Sequence, residues 1–435
     1  MFEVNVFGAG LAGCEAALQL ANAGVKVNLY EMKPHKKSAA HKLDTFAELV
    51  CSNSLKADRL SSASGLLKAE MRLFGSVCLK AAERTKVAAG GALAVDRNLF
   101  SNFVTNSITE NENITVINEI VSKIPVDKPC IIATGPLTDG ILSDEIKKLC
   151  GAEHLSFYDA AAPIVSFDSI DMSIAFKASR YGKGDDDYIN CPMNKEEYTR
   201  FYNALISAES AELHSFDKPL TVYEGCMPIE VLAKRGEDSI RFGPLKPVGL
   251  YDPRTNSRPW AVVQLRSENS NCSMYNIVGF QTNLKFSEQK RVFSLIPGLN
   301  NAEFVRFGVM HRNSFIDSPR VLSENLSLKS NPNIFFAGQI TGVEGYMESA
   351  ACGIIAAQNM LRFLNGQPCL NLPNITMIGA LLKYITDSSV SNFQPMGANF
   401  GIIPPLDTRI KSKQDRYMAL SNRSLMWYEN NKIQI

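Results

Sequence analysis

The sequence predicts an α/β protein: a Rossmann-like dinucleotide-binding domain interrupted by an inserted α+β domain. Three observations carry that expectation. A strand, glycine turn, helix and second strand open the chain; two later apolar strands, far apart in sequence, each end in glycine; and the texture between them turns polar and glycine-rich, with alternating strands. At 435 residues the chain is longer than one comfortable domain. The separation of the strands makes the nucleotide-binding domain discontinuous, expected as residues 1–165 with 320–435, leaving 166–319 as the insertion.

Residues 2–7, FEVNVF, read as a short buried strand. GAGLAG then opens the helical pattern CEAALQLANAG, ended by Gly24, and VKVNLYE returns as a second strand, which completes a βαβ unit. Gly8, Gly10 and Gly13, with Ala9, Leu11 and Ala12 between them, fit the G-x-G-x-x-G pattern. The first glycine serves the tight turn, the second lets a diphosphate approach the backbone, and the third lets helix and strand pack closely. The helix N-terminus favours the anion. Glu31, at the end of the second strand, stands where the ribose hydroxyls are expected, and an acid there favours an unphosphorylated adenosine ribose, as in FAD or NAD. Glycine-rich turns are common, and a plain strand-to-helix turn is the competing reading. Here strand, helix, second strand and acid all sit where the mechanism needs them.

CIIATG (130–135) is a buried strand ending in Thr134 and Gly135, and IFFAGQ (334–339) is another, ending in Gly338 and Gln339. Such strand ends recur in two-dinucleotide-type flavoproteins, where they close over FAD. The second runs into TGVEGYMESAACGIIAAQNML, a loop holding Gly342, Gly345 and Tyr346 that feeds a small-residue helix. Its N-terminal amides suit a flavin edge or a phosphate, or the helix simply needs small residues to pack. Within the presumed insertion, EEYTRFYNALISAES reads as an amphipathic helix, and AVVQLR with MYNIVGF as a hairpin.

Hydrophobic content of 45%, charged content of 20% and a formal net charge of +1 describe an ordinary globule. The balance argues against a surface coated in basic residues, yet a local basic patch would leave the same sum, so nucleic acid is neither required nor excluded. No stretch approaches the roughly eighteen apolar residues of a membrane span, and the N-terminus resembles no leader, so a cytoplasmic protein is expected. Ten cysteines are scattered without a C-x-x-C pair, which suggests neither zinc, nor any other metal site, nor a disulfide framework.

Two cysteines differ from the rest in context. Cys226 lies in VYEGCMPIE on an apparent turn, with Lys234, Arg235 and Lys246 following and Glu224 opposing them electrostatically. Cys51 lies in ELVCSNSLKAD, where a polar run follows an apolar one. That places its sulfur at an element end beside the cofactor, or makes the segment a helix N-cap with a buried thiol behind it. His311 could stack on a heteroaromatic ligand or carry a proton, and could equally be a satisfied histidine at a strand end. Tyr346 could stack on a flavin or only pack. Basic residues spread over the insertion and the C-terminal region could track phosphates or be solvated surface charge.

GAGLAG, FAELVCSNSL (46–55), AGGALAVDR (89–97), YEGCMPIEVLAKRG (223–236), FGPLKPVGL (242–250) and FFAGQITGVEGYMESAACG (335–353) together closely resemble the folate- and FAD-dependent RNA (uracil-5-)-methyltransferase family, over nearly the whole chain. The resemblance implies a flavoprotein fold related to the wobble-uridine enzyme MnmG (GidA). It also implies formation of 5-methyluridine, with the carbon drawn from 5,10-methylenetetrahydrofolate, FAD as redox cofactor and NAD(P)H as reductant. The implied partner is RNA, either the T-loop of tRNA or, for a paralogue, 23S rRNA; no obligate protein partner is implied. By motif position Cys226 resembles the thiol that acts on the uracil, Cys51 its counterpart near the flavin, His311 the histidine on the folate side, and Tyr346 the aromatic beside the isoalloxazine. Uracil C5 is a poor nucleophile until a thiolate adds at C6, which gives that chemistry its need for a cysteine. The chain departs from the family at Lys56, where arginine is usual, and at Asn98 and Leu99, and it lacks histidines before FQPM; these are read as changes in RNA contacts. A catalytically inactive RNA-binding paralogue and an MnmG-like wobble-uridine enzyme are the competing readings.

Overall fold

A computed structural model of the chain describes residues 2–38, 40–151, 155–182, 185–211, 227–390 and 393–431, with backbone alone for 155–160, 311 and 312. The first sheet is built on strand β1 (Glu3–Phe7), which pairs in parallel with β2 (Lys26–Glu31) on one side and Cys130–Ile132 on the other. Asn331–Phe336 extends it in parallel beyond Cys130–Ile132, Ile114–Asn118 extends it beyond β2, and a short antiparallel strand, Ser327–Leu328, closes one edge. Val4, Val6 and Phe7 are buried, as expected of a central parallel strand covered on both faces.

Helix α1 (Leu11–Asn22) crosses from β1 to β2 and is buried almost all round. It lies between the sheet and the Tyr346–Leu364 helix, and the two helices touch through backbone. A Cβ at Gly353 would sit 2.2 Å from the Ala12 carbonyl oxygen, so glycine sets the crossing distance. The small residues of that second helix therefore do pack closely, and its N-terminus still opens toward the carboxyl ends of β1 and its parallel neighbours.

The second sheet is antiparallel throughout, in the order Phe176–Lys177, Tyr188–Met193, Ala261–Ser267, Met274–Ile277, Ile164–Ser166, Phe304–Arg306. The expected hairpin is present, with Leu265 opposite Ile277. The expected amphipathic helix runs Lys195–Ile206, starts in a capping box between Asn194 and Glu197, and buries Tyr198, Phe201 and Leu205. Each six-stranded sheet has its own apolar core. Between them stand a three-stranded sheet that includes Ser54–Ala57 and Ala92–Val95, and a ribbon of Leu155–Ala160 with Met310–Phe315. Among the described residues no helix is long and apolar enough to cross a membrane.

Candidate active site: a dinucleotide cleft and an arginine-bound cysteine loop

At the carboxyl ends of β1, Cys130–Ile132 and Asn331–Phe336 lies a cleft lined by Gly8, Ala9, Gly10, Leu11, Ala12, Glu31, Thr134, Gly135, Gly338, Gln339 and Tyr346. A second hollow of about 300 Å³ adjoins it, sharing Gly8, Glu31 and Thr134. Two joined hollows suit an elongated, two-part ligand. Gly8 has φ +98°, and a Cβ there would meet the Ala133 carbonyl oxygen at 2.6 Å, so the turn requires glycine. A Cβ on Gly13 would lie 1.8 Å from the Gly8 oxygen, which ties helix to turn, whereas nothing lies within 4 Å of the Cβ position at Gly10. That open space is where a diphosphate would approach. The Glu31 carboxylate accepts from the Ala9 amide (2.8 Å) and the Lys33 amide (3.0 Å), which fixes it under the turn with acceptor capacity to spare. The residues present thus fit a dinucleotide such as FAD.

Gly13, Gly342 and Gly345 do not line the cleft. A Cβ at Gly342 would meet the Phe393 ring at 2.5 Å, and Gly345 precedes the Tyr346–Leu364 helix with φ +128°. Lys33 and His41 line the cleft although the sequence did not single them out; burial holds the His41 imidazole below its usual value.

Cys51 sits in a loop that leads into the Ser54–Ala57 strand, so the N-cap reading gives way to an element end beside the cleft. Tyr346 fixes this loop. Its hydroxyl accepts from the amides of Cys51 (2.7 Å) and Ser52 (3.2 Å), while burial and then the nearby Cys51 sulfur push the phenol far above its usual value and keep it neutral. Removing only that oxygen, as in Tyr346→Phe, orphans two amides and is expected to cost about 1–3 kcal/mol of stability. Thermal unfolding checks this, and an unchanged midpoint would show that the amides find other acceptors.

Three guanidinium groups hold the same loop from outside. Arg97 donates to the carbonyls of Leu49 (2.7 Å) and Val50 (3.3 Å). Arg306 donates to those of Val50 (3.0 Å) and Cys51 (3.4 Å). Arg266 donates to Asn53 Oδ1 (3.0 Å) and Ser52 Oγ (2.9 Å), and Asn53, fully buried, donates onward to Val95 and Ser267 carbonyls. The carboxylate facing this cluster is Glu268, 2% exposed and 2.6 Å from Arg97 Nε. Burial disfavours all three charges. Glu268 outweighs that at Arg97, whose value is raised; Arg266 is lowered, and Arg306 falls to about 10 through burial and the adjacent Arg97. Arg97 Nη2 and Arg306 Nε find no acceptor among the described residues. The loop that carries Cys51 thus lies in a buried, net positive setting.

The Lys56 ammonium reaches Glu348, in the first turn of the Tyr346–Leu364 helix, at 2.8 Å, while its side chain stays half exposed. Cys226 and its turn lie outside the described residues. The backbone of His311 pairs opposite Asp159, and its side chain is likewise outside the description. Of the other cysteines, Cys14, Cys78, Cys130, Cys191 and Cys352 are buried; burial pushes Cys130 and Cys191 up to about 12 and Cys352 to about 11, so these thiols are inert packing groups. Among the described residues no cluster of acids, histidines and cysteines could hold a metal ion.

Fold and cleft define a dinucleotide-binding protein of the GidA type. Residues 3–368 match the family described as glucose inhibited division protein A. Two crystal forms of Aquifex aeolicus GidA superpose with TM-scores of 0.69 and 0.68, at 19% and 18% identity, covering 98% and 97% of this chain and 76% and 73% of theirs. A protein of Acetivibrio thermocellus named methylenetetrahydrofolate–tRNA-(uracil-5-)-methyltransferase TrmFO is 59% identical over 422 residues, 97% of each chain. Proteins of the same name from Caldicellulosiruptor bescii and Listeria monocytogenes are 58% and 55% identical, again over 97% of each chain. Within the GidA type, the chain belongs to the TrmFO family.

Proposed function

We propose that the protein is a folate- and FAD-dependent tRNA (uracil-5-)-methyltransferase that forms 5-methyluridine in the T-loop, taking carbon from 5,10-methylenetetrahydrofolate and reducing power from NAD(P)H. The single observation that carries this reading is the full-length identity to proteins bearing that name, joined to a cleft whose glycines and acid suit a dinucleotide. FAD, held by the Gly8–Gly13 turn, Glu31 and the Thr134 and Gly338 strand ends, supplies the redox chemistry when bound. The parallel-sheet body, drawn from 1–165 and 320–435, is assigned to FAD, and 166–319, together with the Ile164–Ser166 strand that pairs into its antiparallel sheet, to the folate and RNA side.

Cys226 acts on the uracil. Its thiolate forms a bond to C6, the C5–C6 electron pair moves toward the C4 carbonyl, and C5 becomes nucleophilic; C5 takes up the methylene-level carbon, two electrons from NAD(P)H, which the redox cofactor would relay, bring that carbon to a methyl, and loss of the C5 proton expels the thiolate. Cys51, which follows Val50 of the cleft lining, is assigned the counterpart role, and a negative charge on its sulfur would face Arg97 and Arg306. Tyr346 positions it. His311 is assigned to the folate side.

Purified protein incubated with unmodified tRNA transcript, 5,10-methylenetetrahydrofolate and NADH or NADPH is expected to yield 5-methyluridine at one T-loop position by nucleoside mass spectrometry. Product on 23S rRNA instead would move the substrate to ribosomal RNA. No product on either, with FAD bound, would leave an RNA-binding paralogue.

A further inference from the structure

Beside the cleft, a groove of about 310 Å³ runs past Val50, which lines both. One wall is a ladder of parallel phenylalanine rings: Phe304 and Phe307 lie 5.1 Å apart at 11°, and Phe307 and Phe286 lie 4.8 Å apart at 15°. The ladder starts in the core, where Phe304 meets the buried Phe293 at 6.5 Å, and ends in water with Phe286, which is 54% exposed. Arg306 and Lys42 also line the groove, and among the described residues no acid does. Arg306 Nε, buried, finds no acceptor among the described residues. Nothing in the chemistry assigned above uses the exposed rings or Lys42.

An apolar aromatic wall between two cations fits a ligand with an aryl ring and appended carboxylates. The groove's volume falls in the range of small-molecule sites. A polynucleotide would call for an open track with a cation for each phosphate, and the described residues of this concavity offer two cations. Continuity with the cleft through Val50 says which small molecule. We propose that the groove takes the aminobenzoyl-glutamate arm of the folate, the aryl ring edge-on to the phenylalanine ladder and the carboxylates toward Lys42 and Arg306. This rests on the folate-dependent reading above.

The test compares tetrahydrofolate with 6-methyltetrahydropterin, which keeps the ring system and lacks the arm, in equilibrium binding to the FAD-loaded protein. Wild type is expected to hold tetrahydrofolate at least about ten-fold more tightly, and Phe286→Ala and Lys42→Ala, both exposed positions, each to lose about five-fold for tetrahydrofolate and nothing for the pterin. Equal affinity of wild type for both ligands would overturn the groove assignment and leave the folate-dependent reading standing. So would variants that bind T-loop RNA more weakly while holding tetrahydrofolate as wild type does; the wall would then be an RNA contact. Wild type that binds neither ligand would overturn the folate-dependent reading, and the assignment with it.

Discussion

Cys226→Ala is expected to abolish 5-methyluridine formation, by roughly 10⁴-fold or more, the scale seen when a covalent nucleophile is removed. The protein should still purify yellow. Both halves follow from chemistry and geometry. Without a sulfur adding at C6, the uracil ring keeps its aromatic-like conjugation and C5 has no electron pair to offer the incoming carbon. The FAD cleft, by contrast, is lined by the Gly8 turn, Glu31, Thr134 and Gly338, none of them near residue 226 in sequence. Nucleoside mass spectrometry and the absorbance of the purified protein read the two halves separately. Colourless protein would make Cys226 a structural residue, and retained turnover would remove it from the reaction.

Glu268→Gln is expected to have the second-largest effect, a loss of about 3–5 kcal/mol in stability, the cost of stripping a buried ion group of its counter-charge. Glu268 is the carboxylate that offsets Arg97, Arg266 and Arg306. Its substitution leaves three guanidinium groups around residues 49–53 with carbonyls and neutral side chains alone to face. Combining it with Arg97→Met removes one of the stranded charges, so the double variant should recover part of the stability lost, while the Leu49 and Val50 carbonyls stay unheld and turnover stays low. Denaturant unfolding of the two single variants and the double variant measures the coupling. Additive losses would show that the pair does not act as a unit.

The βαβ opening was legible because its signals are local: each glycine of the turn answers a constraint within the same few residues or the strand beside them, and Glu31 reaches back only to Ala9. The hairpin around Leu265 and the capped helix at Asn194 were legible for the same reason. The arginine cluster was not. Arg97 stands inside a motif that the family resemblance quoted and Arg266 ends the AVVQLR strand of the expected hairpin, yet the target these two share with Arg306 is a loop more than 200 positions away from Arg266 and Arg306, as the 213-residue span from Asn53 to Arg266 shows. A signal was available in AVVQLRSE, where an arginine and a glutamate end an otherwise apolar strand; buried charges at such a place need partners. Tyr346 was read for its ring, and what the structure adds is its oxygen, 295 residues from the amide it accepts. For Lys56, read for RNA contacts, the sequence gives no hint that Glu348 lies buried beside it.

The seam at Asn53 ties two bodies with different tasks. Arg266 and Ser267 belong to the antiparallel sheet, and both grip the peptide that carries Cys51, while the nucleotide turn belongs to the parallel sheet. The sulfur's loop is therefore held from both bodies, by Arg266 and Arg306 on one side and by Tyr346 and Arg97 on the other. Any swing of the antiparallel sheet to admit a bulky nucleic acid would pull that loop against the Tyr346 hydroxyl, so entry of substrate and position of the thiol would be coupled.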